Sequence, residues 1–152
     1  MTKELLRGIR KSGAGGNWVS RLLSIVAKAQ LELGDPRASR AAALEGIVFM
    51  RDTKSVWNPH NYAVLARAQL ELAEPAVDIS HTLGEYETLL TQTGFHIYEG
   101  ELHELRACLA EREGQHMERT AALARAHDRY TRFGVVLQAA RIEGSRTPGS
   151  NA

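Results

Sequence analysis

The sequence predicts an all-α chain: a short α-solenoid of about three helical hairpins, closed by a capping helix. Three observations lead there. Apolar residues recur at three- and four-residue spacing along most of the chain, the period of a helix with one buried face. Glycines that stop helices and Asp-Pro or Asn-Pro pairs that start them punctuate the pattern. Finally, Ala27 to Asp35, AKAQLELGD, returns 39 positions later as ARAQLELAE, Ala66 to Glu74, with a blurred third copy at Arg106-Ala107-Cys108-Leu109. A period near 39 is that of a two-helix repeat, in which each hairpin buries its apolar face on the next and the last one needs a cap.

The elements follow in order. A flexible or partly helical lead-in covers 1–16, the repeat domain 17–143, and a disordered tail 144–152. The first helix is expected from Asn17 to Leu33, with Trp18, Leu22, Ile25, Val26 and Ala29 on its buried face. Gly34 supplies a left-handed closing position, Asp35 caps the second helix, and Pro36 takes its first turn, where a missing N–H costs nothing. That helix, to about Asp52, lines up Ala43, Ile47 and Met50, with small Ser39 and Gly46 allowing close approach. Asn58-Pro59 repeats the start and opens the third helix, to about Ala73. A longer connection, Glu74 to Ser80, leads to a capping box at Thr82 and Glu85 for the fourth, which ends at Gly94. The fifth runs from about Tyr98 to Glu113, the sixth from His116 to Arg132, and a short seventh from Val135 to Glu143 covers the open end.

Bulk properties narrow the function classes. With 152 residues, 43% of them hydrophobic, the chain suffices for a compact domain that buries roughly 70% of its unfolded surface. No stretch approaches the roughly 20 uninterrupted apolar residues of a membrane span, and the N-terminus MTKELLRGIRKSGAGG lacks a secretory apolar core, so a cytoplasmic address is expected. The single cysteine, Cys108, excludes an internal disulfide and reads as a small buried hydrophobe. Net charge is +1 but uneven: residues 1–60 carry ten Lys or Arg against five Asp or Glu, and residues 61–100 carry one against six. Such asymmetry suits docking on another polypeptide. The 15 arginines are interleaved with acids and no aromatics accompany them, which argues against nucleic acid.

Between Thr93 and Gly134 the chain reads TGFHIYEGELHELRACLAEREG and then RTAALARAHDRYTRFG. With the Leu-Gly-Asp helix ending and the small residues of the second helix, these segments resemble tetratricopeptide-like repeats longer than the usual 34 residues. More specifically, they resemble the C-terminal helical repeats of bacterial signalling proteins that join a class III adenylate or guanylate cyclase to an AAA-type ATPase. The shared features are a Gly-aromatic-Glu entry, a His-Glu-Leu-Arg-Ala helix and an Ala-His-aromatic helix ending in Phe-Gly. Related repeats also close transcription regulators with that ATPase module. The resemblance implies a protein-interaction or regulatory module of a bacterial signalling system. The alternatives it implies are the sensor half of an ATPase-type transcription regulator, or a fragment of a cyclase without its catalytic domain.

The sequence departs from the family's catalytic parts. It has no GxxxxGK[ST] phosphate loop; Gly13-Ala14-Gly15-Gly16 follows Lys11-Ser12 in the wrong order. Asp35, Asp52, Asp78 and Asp128 are scattered rather than paired for metal-assisted chemistry. No histidine pair stands at i, i+4, and His103 lacks the second histidine of HExxH. A non-enzyme without metal or cofactor is therefore expected, with Trp18 and Trp57 as packing anchors.

Repeat phase supplies the candidate site. Lys28, Arg67 and Arg106 are 39 apart, on the first helices of successive hairpins, which line the concave side in tetratricopeptide-like arrays. A cationic ladder there, with His103 beside it, could hold an acidic peptide, a carboxylate or the ATPase/cyclase polypeptide itself. The competing account is local pairing: Lys28 has Glu32 and Arg67 has Glu71 four residues on, whereas Arg106 has Ala110 there and would have to bridge to a neighbouring helix, Glu118 for instance.

Overall fold

The computed structural model describes residues 16–53 and 58–146; the lead-in 1–15, Trp57 and the tail 147–152 lie outside the described residues. The described chain is helical, without a strand. Among the described residues seven α-helices follow one another: α1 Gly16–Glu32, α2 Pro36–Thr53, α3 His60–Glu71, α4 Ala76–Thr93, α5 Glu99–Arg112, α6 His116–Arg132 and α7 Val136–Arg146. A 3-10 turn, His96–Tyr98, precedes α5. None of these helices is long and apolar enough to cross a membrane. The chain divides into two compact units, Met1–Glu74 and Pro75–Ala152.

In the first unit α1, α2 and α3 each pack on the other two. The Leu-Gly-Asp segment behaves as expected: Gly34 takes φ 77°, and the Asp35 carboxylate accepts the Ala38 N–H at 2.9 Å. The face of α1 does not. Its buried residues are Val19, Ser20, Leu23, Ser24 and Ala27, whereas Trp18 is 73% exposed, and Leu22, Ile25 and Ala29 also face outward. The predicted face is thus turned by about one residue, near 100°. The reason is polar. Asn58, expected as a helix cap, instead donates through Nδ2 to Ser20 O at 2.9 Å and Ser24 Oγ at 3.1 Å. Asn61 Nδ2 donates to Ser20 Oγ at 2.8 Å. Buried amides demand partners, and two serines at i, i+4 provide them better than a tryptophan face could. Gly46 of α2 leaves the space for Asn61, since a Cβ there would overlap the amide oxygen.

Helix α4 also starts elsewhere than expected. It begins at Ala76, directly after Pro75, and Thr82 lies buried inside it with its hydroxyl donating to Asp78 O at 3.2 Å, so the predicted capping box does not form. Glu74-Pro75 repeats Asp35-Pro36 in position and in effect. Other boundaries fall within three residues of expectation, α7 running on to Arg146.

In the second unit α4 packs on α5, α5 on α6, and α6 on α7. Its core joins Ala107 of α5, Ala122, Leu123, Ala126 and Tyr130 of α6, and Ala139 and Ile142 of α7. Helix α5 is buried on most sides, including Gly100, Leu102, His103, Glu104, Leu105, Ala107 and Ala110. Gly100, Ala107 and Ala110 there let neighbours approach; at Gly100 a Cβ would stand 2.5 Å from Tyr130 Cε1.

The repeated nonapeptide closes its helix the same way twice. Gly34 N donates to Leu31 O and Asp35 N to Gln30 O; 39 residues later Ala73 N donates to Leu70 O and Glu74 N to Gln69 O. Ala73 therefore carries the left-handed backbone, φ 52°, that glycine carries in the first copy. For an L-residue with a Cβ that conformation costs roughly 1–2 kcal/mol, part of which glycine's freer unfolded chain takes back. Ala73→Gly is expected to stabilise the protein by about 0.5–1 kcal/mol in urea unfolding; a destabilised variant would contradict this reading of the turn.

Candidate functional site

Three consecutive helices of the second unit each turn one stripe toward a common groove. From α4 come Ser80 and Leu83, from α5 His103, Arg106, Leu109 and Ala110, and from the following turn and α6 Gln115, Met117, Glu118, Ala121, Ala122 and Arg125. Each stripe keeps three- or four-residue spacing, so it stays on one side of its helix. The cavity measures about 510 Å³. From Met117 to Arg125 is eight helical residues, so the groove runs for about 12 Å, room for three or four extended residues or two helical turns.

The groove is chemically polarised. Since α5 runs against both neighbours, Ser80, Leu109, Ala110, Gln115, Met117 and Glu118 mark one end, and His103, Arg106 and Arg125 the other. Met117 is exposed, and Leu83 and Ala122 are buried beneath the apolar end. At the cationic end Arg106 donates from Nη1 to Glu87 Oε1 at 3.0 Å and from Nη2 to Glu87 Oε2 at 2.7 Å, a two-pronged pair between α5 and α4. The hydrogen bond from Arg106 holds the Glu87 carboxyl below the usual carboxylate range. His103 is buried, its Nδ1 meets no hydrogen-bond partner, and burial together with Arg106, Arg125 and Arg129 pushes its pKa down, so the ring is neutral. Behind the groove Arg141 of α7 donates to buried Glu104 at 2.5 Å. Burial, followed by the Glu104 carboxylate, raises the Tyr130 hydroxyl far above its ordinary pKa.

Set against the sequence, two of the four candidates meet here: His103 and Arg106 line one groove. Lys28 and Arg67 belong to the first unit. Lys28 is 71% exposed on α1, its Nζ 4.0 Å from Glu32, and Arg67 is exposed on α3. Arg106 bridges to a neighbouring helix, as the competing account has it, but its partner is Glu87 of α4, 19 residues earlier, and not Glu118. Cys108 is exposed, not buried, because the blurred third copy places Ala107 in the core and turns its neighbour outward. Repeat phase does not reach Glu87, Arg125 and Met117, because they lie on α4 and α6 and not on the helices that carry the repeated segment. The signal was present as Met117, Ala121 and Arg125 at four-residue spacing.

The arrangement brings two guanidinium groups, Arg106 and Arg125, to one end of the groove. Arg125 lines the groove, exposed, and among the described residues makes no hydrogen bond or ion pair. Among the described residues no group of three His, Cys, Asp or Glu could hold a metal ion.

The depressed pKa of His103 has a thermodynamic consequence. A histidine whose folded pKa lies below its unfolded value of 6.5 contributes stability that is present above pH 6.5 and lost as pH falls through the folded value. Unfolding free energy is therefore expected to drop on acidification below pH 6.5, and His103→Gln should flatten that slope. An unchanged slope in the variant would show that His103 is not the group responsible. No family model matches this chain, and no curated protein or solved structure is measurably similar to it.

Proposed function

We propose that the protein is a non-catalytic interaction module, a tetratricopeptide-like repeat array whose second unit binds an acidic segment of a partner polypeptide. The observation that carries this reading is the groove on α4, α5 and α6, which offers Leu83, Leu109 and Met117 among Ser80, Gln115 and Glu118 toward one end and is lined at the other by Arg106 and the uncommitted Arg125. Charge complementarity selects the partner. A segment with an apolar residue for the Leu83, Leu109 and Met117 end and a carboxylate about 10 Å further on would match both ends. The repeat reading draws support from identical closing bonds 39 residues apart. The outward Trp18, Leu22 and Ile25 of α1 form an apolar surface of a kind that interaction proteins use.

The setting is proposed on narrower ground. The Gly-aromatic-Glu entry and His-Glu-Leu-Arg-Ala helix support a cytoplasmic role beside a cyclase- or ATPase-type signalling polypeptide, and the motif resemblance alone carries that assignment.

An array of synthetic dodecapeptides that vary the number of glutamates and the position of one leucine or methionine tests the proposal. Peptides pairing an acid with an apolar residue should bind, and Arg125→Glu should weaken them at least tenfold. About 1.5–3 kcal/mol is typical for a hydrogen bond to a charged group. Binding indifferent to peptide charge, or an affinity untouched by Arg125→Glu, would contradict it.

A further inference from the structure

The Arg106–Glu87 pair occupies the position that a partner's acid would need. Arg106 lines the groove, yet both its terminal nitrogens are held by Glu87, which is half-exposed and stands outside the lining. Arg125 lines the same end and is uncommitted, while its field reaches Glu87 and His103 alike. Two guanidinium groups thus face one carboxylate, leaving one positive charge unmatched at that end. Arg129, the next cation along α6, is already spent on Glu99 at 2.9 Å, and Glu118 lies about two turns away toward the apolar end.

We propose that Arg106 and Arg125 together form an oxyanion site, and that Glu87 is its built-in competitor. The inference rests on the groove reading above and adds its regulation. An incoming oxyanion, an acidic side chain or a phosphoryl group, meets Arg125 first because that guanidinium has no bond to break. To engage Arg106 it must then displace a carboxylate that already makes two charge-assisted hydrogen bonds. A monoanion gains little from that exchange, since it replaces like with like. A phosphate dianion brings more charge and a third acceptor oxygen, so it takes Arg106 from Glu87 where a carboxylate does not. The pair therefore sets a threshold: weak anions rest on Arg125 alone, and strong ones open the latch.

The test titrates the full chain with inorganic phosphate, and separately with acetate, following the Nε–Hε resonances of Arg106 and Arg125 by NMR. In the wild type phosphate should shift both signals and acetate only that of Arg125. Glu87→Gln should tighten phosphate about two- to fivefold, the scale expected when an exposed two-pronged ion pair stops competing. A second readout needs no variant. Held above neutral pH, where inorganic phosphate is largely the dianion, phosphate that saturates the wild type should shift the Glu87 carboxyl carbon resonance, because Arg106 no longer holds that carboxylate. Equal phosphate affinity in wild type and Glu87→Gln, or a Glu87 carboxyl resonance that ignores phosphate dianion, overturns the competitor while leaving the groove reading intact. Array peptides that bind while neither anion moves Arg125 overturn the oxyanion site. Failure of the peptides themselves counts against the underlying reading.

Discussion

Gly100 lies directly beneath the ring of Tyr130, and the second unit depends on that contact. The missing Cβ lets the C-terminal end of α6 come down on the N-terminal end of α5, closer than any other residue would allow. From there the geometry propagates along both helices. One helical turn on from Gly100 stand His103 and Glu104; one turn back from Tyr130 stands Ala126, fully buried, and beside it Arg125. The separation of α5 from α6 at the cationic end of the groove is thus set by a ring lying on a bare backbone. The same ring adjoins Glu104, whose other link is Arg141 on α7, so the closing helix is tied to the helix that floors the groove. Burying one carboxylate in that position is tolerable because it is paired; removing Arg141 would leave it charged and alone.

The two units solve one problem by different chemistry. Each has a helix covered by two neighbours, α3 in the first and α5 in the second, and each such helix must offer small residues where those neighbours approach. In the first unit Ala63, Ala66 and Ala68 do this, and an amide network of Asn58, Asn61, Ser20 and Ser24 fixes the rotation of α1 about its axis. A purely apolar interface would tolerate several rotations of α1 at similar cost. The amides tolerate one, since any other leaves buried donors without acceptors. That choice turns Trp18, Leu22 and Ile25 to the outside. In the second unit the corresponding contacts are alanine, glycine and tyrosine, and the one buried carboxylate, Glu104, is paired with Arg141.

Helix count, the closing turns and most boundaries were legible in the sequence because they depend on local chemistry: Gly34 and Asp35 act within five residues of themselves. The errors share a cause. The face of α1 is not legible in this way, because hydrophobic spacing along one helix says nothing of Asn58 and Asn61, whose partners stand 34 to 41 residues away. The start of α4 was misplaced although Glu74-Pro75 echoes Asp35-Pro36, because the Thr82/Glu85 capping box is an equally good local signal and only packing decides between them. At the site, Arg106 is legible through the 39-residue spacing and His103 as its neighbour one turn earlier on the same helix. Glu87 was not: it reaches Arg106 across a turn whose geometry no single helix encodes.

The central claim, that the second unit binds acidic segments in the α4–α6 groove, is tested most directly by amide hydrogen exchange on the full chain with and without the tightest-binding acidic array peptide. Bound peptide should slow exchange in residues 80–125, most strongly along α5 and α6, and leave residues 16–53 and 58–74 unaltered. Protection that appears in the first unit, and spares His103 to Arg125, would contradict the account.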